Sequence, residues 1–170
     1  MKQVIDAIEA AMIEVIEAGE KATKSELRAQ GHYLTGRSEK SIEYKIERND
    51  DSVTGILEGA EHLIYLNFGV RPENVRYPIS VMVDYWKKRG LPEDEAVRAA
   101  WATRNKHRQE GIPTLASFRL SSTGERTGFS SSALEKVLDD MGRILEQKTG
   151  FILNVTIAQD VKMQPIKIFV

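Results

Sequence analysis

Between positions 41 and 47 apolar and polar residues alternate without a break. Ile42, Tyr44 and Ile46 fall on one side, and Ser41, Glu43, Lys45 and Glu47 on the other. A period of two is what a half-buried strand requires, because successive side chains point to opposite faces of a sheet. Asn49-Asp50-Asp51 follows with turn chemistry, and 53–58 reads as the return strand. The run 63–68 is more continuously apolar and stops at Gly69, which predicts a third, more buried strand. Residues 32–69 therefore read as a core sheet.

Upstream the period changes to that of a helix. Val4, Ile8, Ala11, Met12, Val15 and Ala22 predict one amphipathic helix over residues 2 to about 30, with Glu9, Glu14, Glu17, Glu20, Lys21 and Lys24 largely opposite. Its apolar stripe needs a cover, either the sheet of its own subunit or a neighbouring copy. Gly31 suits the left-handed position that closes a helix, and Thr35-Gly36 turns the chain toward the first strand. Arg37 and Lys40 stand at that strand's start, where they either meet an acidic or phosphate partner or form a solvated strand end balanced by Glu39, Glu43 and Glu47.

Downstream, Pro72 and Pro78 make 70–78 irregular. Residues 79–89 predict a short helix carrying Val81, Val83 and Trp86, with Lys87, Lys88 and Arg89 complementing the negative end of its dipole. Pro92 opens a second helix, in which Val97, Ala100 and Trp101 precede a stop at Gly111. Residues 111–132 turn rich in Gly, Ser and Thr and read as a flexible arm that orders against a partner. Ser132 and Glu135 have capping-box spacing and open a helix to about 149, with Leu134, Val137, Leu138, Met141, Ile144 and Leu145 on its apolar side. Phe151, Leu153, Val155 and Ile157 alternate as a strand. A last strand covers 161–170, where Pro165 implies an edge position or a bulge. The expected fold is a single α+β domain over 1–170: a mainly antiparallel sheet packed by a long N-terminal helix and further helices, with a long flexible loop.

Composition narrows the chemistry. The chain has 170 residues, 41% hydrophobic and 29% charged, and a formal net charge of -1, so no global charge draws it to nucleic acid or to an anionic membrane. It has no cysteine, which excludes disulfides, thiolate metal sites and thiol nucleophiles. No apolar run is long enough to span a bilayer and the N-terminus lacks a signal-peptide core, so maturation in a reducing cytoplasm without signal-directed export is expected. The three histidines, His32, His62 and His107, have no ligand spacing among themselves. No serine sits in a nucleophile elbow, and no glycine-rich phosphate loop is present. The expectation is a protein that is not an enzyme and needs no metal or cofactor. Arg104, Lys106 and Arg108 are candidate phosphate contacts, although a helix C-terminus alone also accounts for cations there.

One resemblance adds to this reading. The N-terminal helix, the segment TGRSEKSI, the hairpin and the later IYLNFGV followed by a proline-containing loop resemble the tail-completion and head-tail joining family of tailed bacteriophages. The matching residues are Thr35, Gly36, Ser41 and Ile42, then Tyr65, Phe68 and Gly69. Ser38 and Val70 depart from the pattern, and the segment 111–118 stands where the family has a proline-aromatic stretch. The resemblance implies a structural virion protein of the neck or tail, made in the host cytoplasm. It would form a homo-oligomeric ring and contact portal, connector or tail proteins, with at most weak non-specific contact to passing DNA and none to a membrane. The candidate interface regions on this reading are the 111–132 arm, the 70–78 loop and the C-terminal strand. The leading alternative is a small nucleic-acid-associated or regulatory protein that uses Arg104, Lys106 and Arg108 on phosphate.

Overall fold

The computed structural model describes residues 2–50, 52–149, 156–158 and 166–169. Helix α1 (Lys2–Ala29) runs the length of the body and is followed by a single turn of helix, α2 (Arg37–Lys40). Strands β1 (Glu43–Arg48) and β2 (Val53–Glu58) form the expected hairpin, with Tyr44 opposite Leu57 and Ile46 opposite Gly55. Then come α3 (Leu63–Phe68), α4 (Ile79–Lys88), α5 (Glu93–Glu110), a 3-10 segment at Leu115–Leu120, α6 (Phe129–Thr149), β3 (Thr156–Ala158) and β4 (Ile166–Phe169). The sheet is antiparallel throughout, in the order β1-β2-β4-β3. The architecture is α+β, as the alternation and periodicity predict.

The stripe of α1 is covered within the subunit. Ala11, Met12, Val15 and Ile16 are fully buried with Val53, Met141 and Leu145, and Tyr44, Ile46, Leu57, Leu134 and Val137 pack around them. Thus α1 lies between the hairpin and α6. The contact with the sheet is close because β2 carries Gly55 where α1 crosses: a Cβ there would lie 3.0 Å from Met12 Sδ and 3.4 Å from Ile16 Cδ1. A second cluster of Leu27, Ile42, Leu63 and Phe129 joins the end of α1 to β1, α3 and α6. Between the helices, Glu26 is 3% exposed and pairs with Lys136 while accepting from Gln30 Nε2 at 3.2 Å. A buried carboxylate needs such partners to offset its lost hydration.

Four expectations change. Residues 63–68 form helix α3, because Leu63 and Asn67, four apart, both point inward while Tyr65 and Phe68 point out. The helix α6 begins three residues before Ser132, and its exposed first amides are capped from another element. Asn67 Oδ1 accepts from Ser130 N and Ser130 Oγ at 3.0 Å each, and Asn67 O accepts from Gly128 N at 2.7 Å. Strand β4 pairs with β2 and β3, so the last strand is interior and not at an edge; the alternative of a bulge falls at Pro165, which, like Phe151, Leu153 and Val155, lies outside the described residues. The 111–132 segment also follows a path fixed by hydrogen bonds, through Ser122 N to Ala29 O at 2.8 Å and the Val70–Ile112 bridge.

Gly55→Val should lower stability by about 1–3 kcal/mol, since the branched side chain must displace Met12 and Ile16 from a packed core. Asn67→Ala should cost about 1–2 kcal/mol by leaving the first turn of α6 uncapped. Urea unfolding followed by circular dichroism measures both, with unchanged m-values expected.

Candidate functional site

The carboxyl end of α1 generates a cleft lined by several polar side chains. Gly31, at φ 75°, takes the left-handed conformation, which lets His32 N reach Leu27 O at 3.0 Å and Gly31 N reach Arg28 O at 2.8 Å. That pair of bonds is a Schellman closure. It leaves the carbonyls of Ala29 and Gln30 without helical partners. The 121–126 loop supplies them: Ser122 donates to Ala29 O through both N and Oγ, at 2.8 and 3.0 Å, and Arg126 Nη1 donates to Gln30 O at 2.8 Å. His32 Nε2 in turn donates to Arg126 O at 3.1 Å, which fixes its tautomer.

This junction forms one wall of a cleft of about 490 Å³. The turn at Tyr33, Thr35 and Gly36 and the first residues of α2, Arg37 and Ser38, form a second. Tyr85 and Arg89, at the end of α4, close it. Arg37, Arg89 and Arg126 all line the cleft, and no aspartate or glutamate does. Glu39, which a balanced strand end would set against Arg37, instead pairs with Arg28 at 2.5 Å and 2.8 Å. Glu125 is turned toward Ser132 Oγ, at 3.4 Å. Arg89 lies over the Tyr85 ring, 4.9 Å from its centroid, and Arg126 Nε is buried without a hydrogen-bond partner. Ser38 Oγ and His62 Nε2 are hydrogen-bonded at 2.7 Å on the opposite wall. Burial pushes the Arg126 guanidinium below its ordinary pKa, and the like charge of Arg89 acts in the same direction. Burial, with the positive charge of Arg126, pushes His32 down to about 4, so the imidazole is neutral near pH 7.

The sequence-predicted residues fall into three places. Thr35, Gly36 and Ser41 line this cleft, while Ile42 turns into the core beside Leu63. Ser41 Oγ donates to Ser38 O at 2.7 Å and accepts from Ala60 N at 3.2 Å, tying the first half of the motif to the turn that leads into its second half. Tyr65, Phe68 and Gly69 line a separate groove of about 740 Å³ with Val70, Ile112 and Pro113. Arg104, Lys106 and Arg108 do not make one patch. Residues two apart on a helix are about 200° apart, so Lys106 faces away from the other two. Lys106 pairs with Glu110 at 2.5 Å, and Arg104 lies 5.7 Å from the Trp101 ring centroid. On the same helix His107 Nδ1 meets the Tyr77 hydroxyl at 2.7 Å, and burial pushes the His107 pKa down.

Sequence reasoning missed Arg126 and undervalued Arg89. Arg126 sits in a glycine- and serine-rich stretch with a glutamate beside it, and nothing local marks it as the partner of a carbonyl 96 positions earlier. Among the described residues there is no group of three or more His, Asp or Glu placed to hold a metal ion, and no helix long and apolar enough to cross a membrane.

The His32 pKa links this junction to stability. Its folded value of about 4 lies below the ordinary 6.5, so the unfolded chain binds more protons between those pH values. The contribution of the neutral imidazole is present above pH 6.5 and is lost as pH falls toward 4. Equilibrium unfolding should show His32→Gln, whose amide can still donate to Arg126 O, with a shallower loss of stability over that window; the difference in slope should integrate to roughly 2 kcal/mol. No protein-family model, curated protein or solved structure matches the chain.

Proposed function

We propose that this chain is a structural subunit of a tailed-phage neck or tail end, acting by assembly into a ring and by contact with neighbouring portal, connector or tail proteins. The observation that carries the reading is the exposure of the motif's aromatic pair. Tyr65 is 52% and Phe68 57% exposed, on α3, beside a groove walled by Val70, Ile112 and Pro113; Leu115, two residues beyond, is 78% exposed. The opposite side of the same helix is committed to the fold through Leu63 and Asn67. A helix rigidly held on one side and apolar on the other is suited to a subunit interface, where aromatic anchors supply most of the binding energy.

Two further features fit. The groove combines the 70–78 loop with the start of the 111–132 segment, two of the three candidate interface regions, so a single surface includes both. The division of Arg104, Lys106 and Arg108 between faces of α5 weakens the alternative of a nucleic-acid protein built on those three residues.

In the phage that carries the gene, loss of this chain should leave heads and tails unjoined, or tails unfinished, in electron micrographs. The double substitution Tyr65→Ser and Phe68→Ser should reproduce that defect while the purified variant keeps wild-type helix content and loses no more than about 2–3 kcal/mol of stability, because about half of each side chain is already in water. Intact infectious particles that lack the chain, with monomers persisting when it is mixed with portal and tail components, would overturn the reading.

A further inference from the structure

We propose that the cleft between the end of α1, the start of α2 and the end of α4 is a binding site for a phosphate-type oxyanion, held by Arg89 and Arg126 with Arg37 at its rim. Three guanidiniums line the cleft and no carboxylate does: of the four carboxylates adjacent in sequence to lining residues, Glu39 and Glu125 are engaged elsewhere, and Glu61 and Asp84 do not line it. Helix ends do not cancel this charge. The carboxyl termini of α1 and α4 both lie at the cleft, and each contributes roughly half a negative charge. Three cations less about one unit leave a surplus of roughly two positive charges, which matches a dianion better than a monoanion.

Geometry agrees. Arg126 is anchored by one bond, Nη1 to Gln30 O; its Nε is sealed from solvent, and among the described residues no hydrogen bond engages its Nη2. Arginine presents its donors as a planar fork suited to two oxygens at once, so a fork with one arm fixed and another unmet is poised for an oxyanion. Arg89 is steadied against the Tyr85 ring without using its own donors on a carboxylate. Ser38, across the cleft, adds a hydroxyl held by His62. The volume of about 490 Å³ leaves room for a phosphate and for the group that carries it. The site uses a different surface from the Tyr65–Phe68 groove and does not depend on the proposed ring.

The test uses the whole chain and the His32 imidazole as reporter, followed by NMR while inorganic phosphate is titrated at constant ionic strength against chloride. Saturable shifts at His32 and at the Arg89 and Arg126 side chains are expected, together with a rise of the His32 pKa above about 4 as the positive field is neutralised. Arg89→Gln should weaken phosphate binding at least tenfold. This residue makes no ion pair among the described residues, so the variant should fold, and an unchanged amide spectrum away from the cleft verifies that. Arg126→Lys, which keeps one donor for Gln30 O, should weaken binding similarly. A phosphomonoester and a short DNA duplex then distinguish the source of the phosphate: whichever displaces inorganic phosphate from the same resonances at lower concentration carries the natural group. Absence of saturable shifts, or binding equally strong in Arg89→Gln, would overturn the proposal.

Discussion

The last carbonyls of α1 are the constraint on which the rest of the molecule depends. A helix end that is half-buried must place its unpaired acceptors somewhere, and here Gly31 closes two of them locally while Ala29 and Gln30 are left to a loop nearly a hundred positions later. Meeting that demand pins Ser122 and Arg126, and pinning Arg126 fixes His32. The following turn then delivers Gly128 and Ser130 to Asn67, which starts α6. The helix α6 packs back along α1 through Met141 and Leu145. The chain thus closes a circuit in which each hydrogen bond positions an apolar contact and each apolar contact shelters a hydrogen bond.

The sheet is held by the same helix in a different way. Where α1 crosses β2, Gly55 removes the side chain that would keep them apart, and Met12 and Ile16 fill the space. Close approach gives more dispersion contacts per residue, which is why a small sheet can be stabilised by one long helix and its neighbour. The two candidate interaction surfaces lie away from this packed centre. One is apolar and built on the outward side of α3; the other is polar and built on unpaired guanidiniums. Their chemistry differs because one sits over a helix flank and the other at helix ends, where backbone carbonyls attract cations.

Local pattern was a good guide wherever the local pattern was also the tertiary demand. Ile42, Tyr44 and Ile46 alternate because one face of β1 meets α1, and the stripe of α1 recurs at helical spacing because one side meets the sheet. The pattern misled at Leu63–Phe68. A six-residue stretch in which every residue but Asn67 is apolar fits a buried strand or a short helix equally well. What decides is Asn67, whose inward position is needed to cap α6, a partner absent from the local sequence. The 111–132 segment misled for the same reason: its serines and glycines look like solvated loop, yet Ser122 and Arg126 complete another element's hydrogen bonds.

From the sequence alone follow the long amphipathic helix, the hairpin and its face, the helical pair between 79 and 110 and the absence of thiol chemistry. Periodicity and composition are local quantities, and these features are local. Only the tertiary structure decided that Tyr65 and Phe68 stand outward, that Arg104, Lys106 and Arg108 part company, and that Arg37, Arg89 and Arg126 meet around one cleft with no carboxylate lining it. Each of those outcomes depends on which distant group satisfies a backbone acceptor or fills a gap, and such pairings leave no periodic trace along the chain.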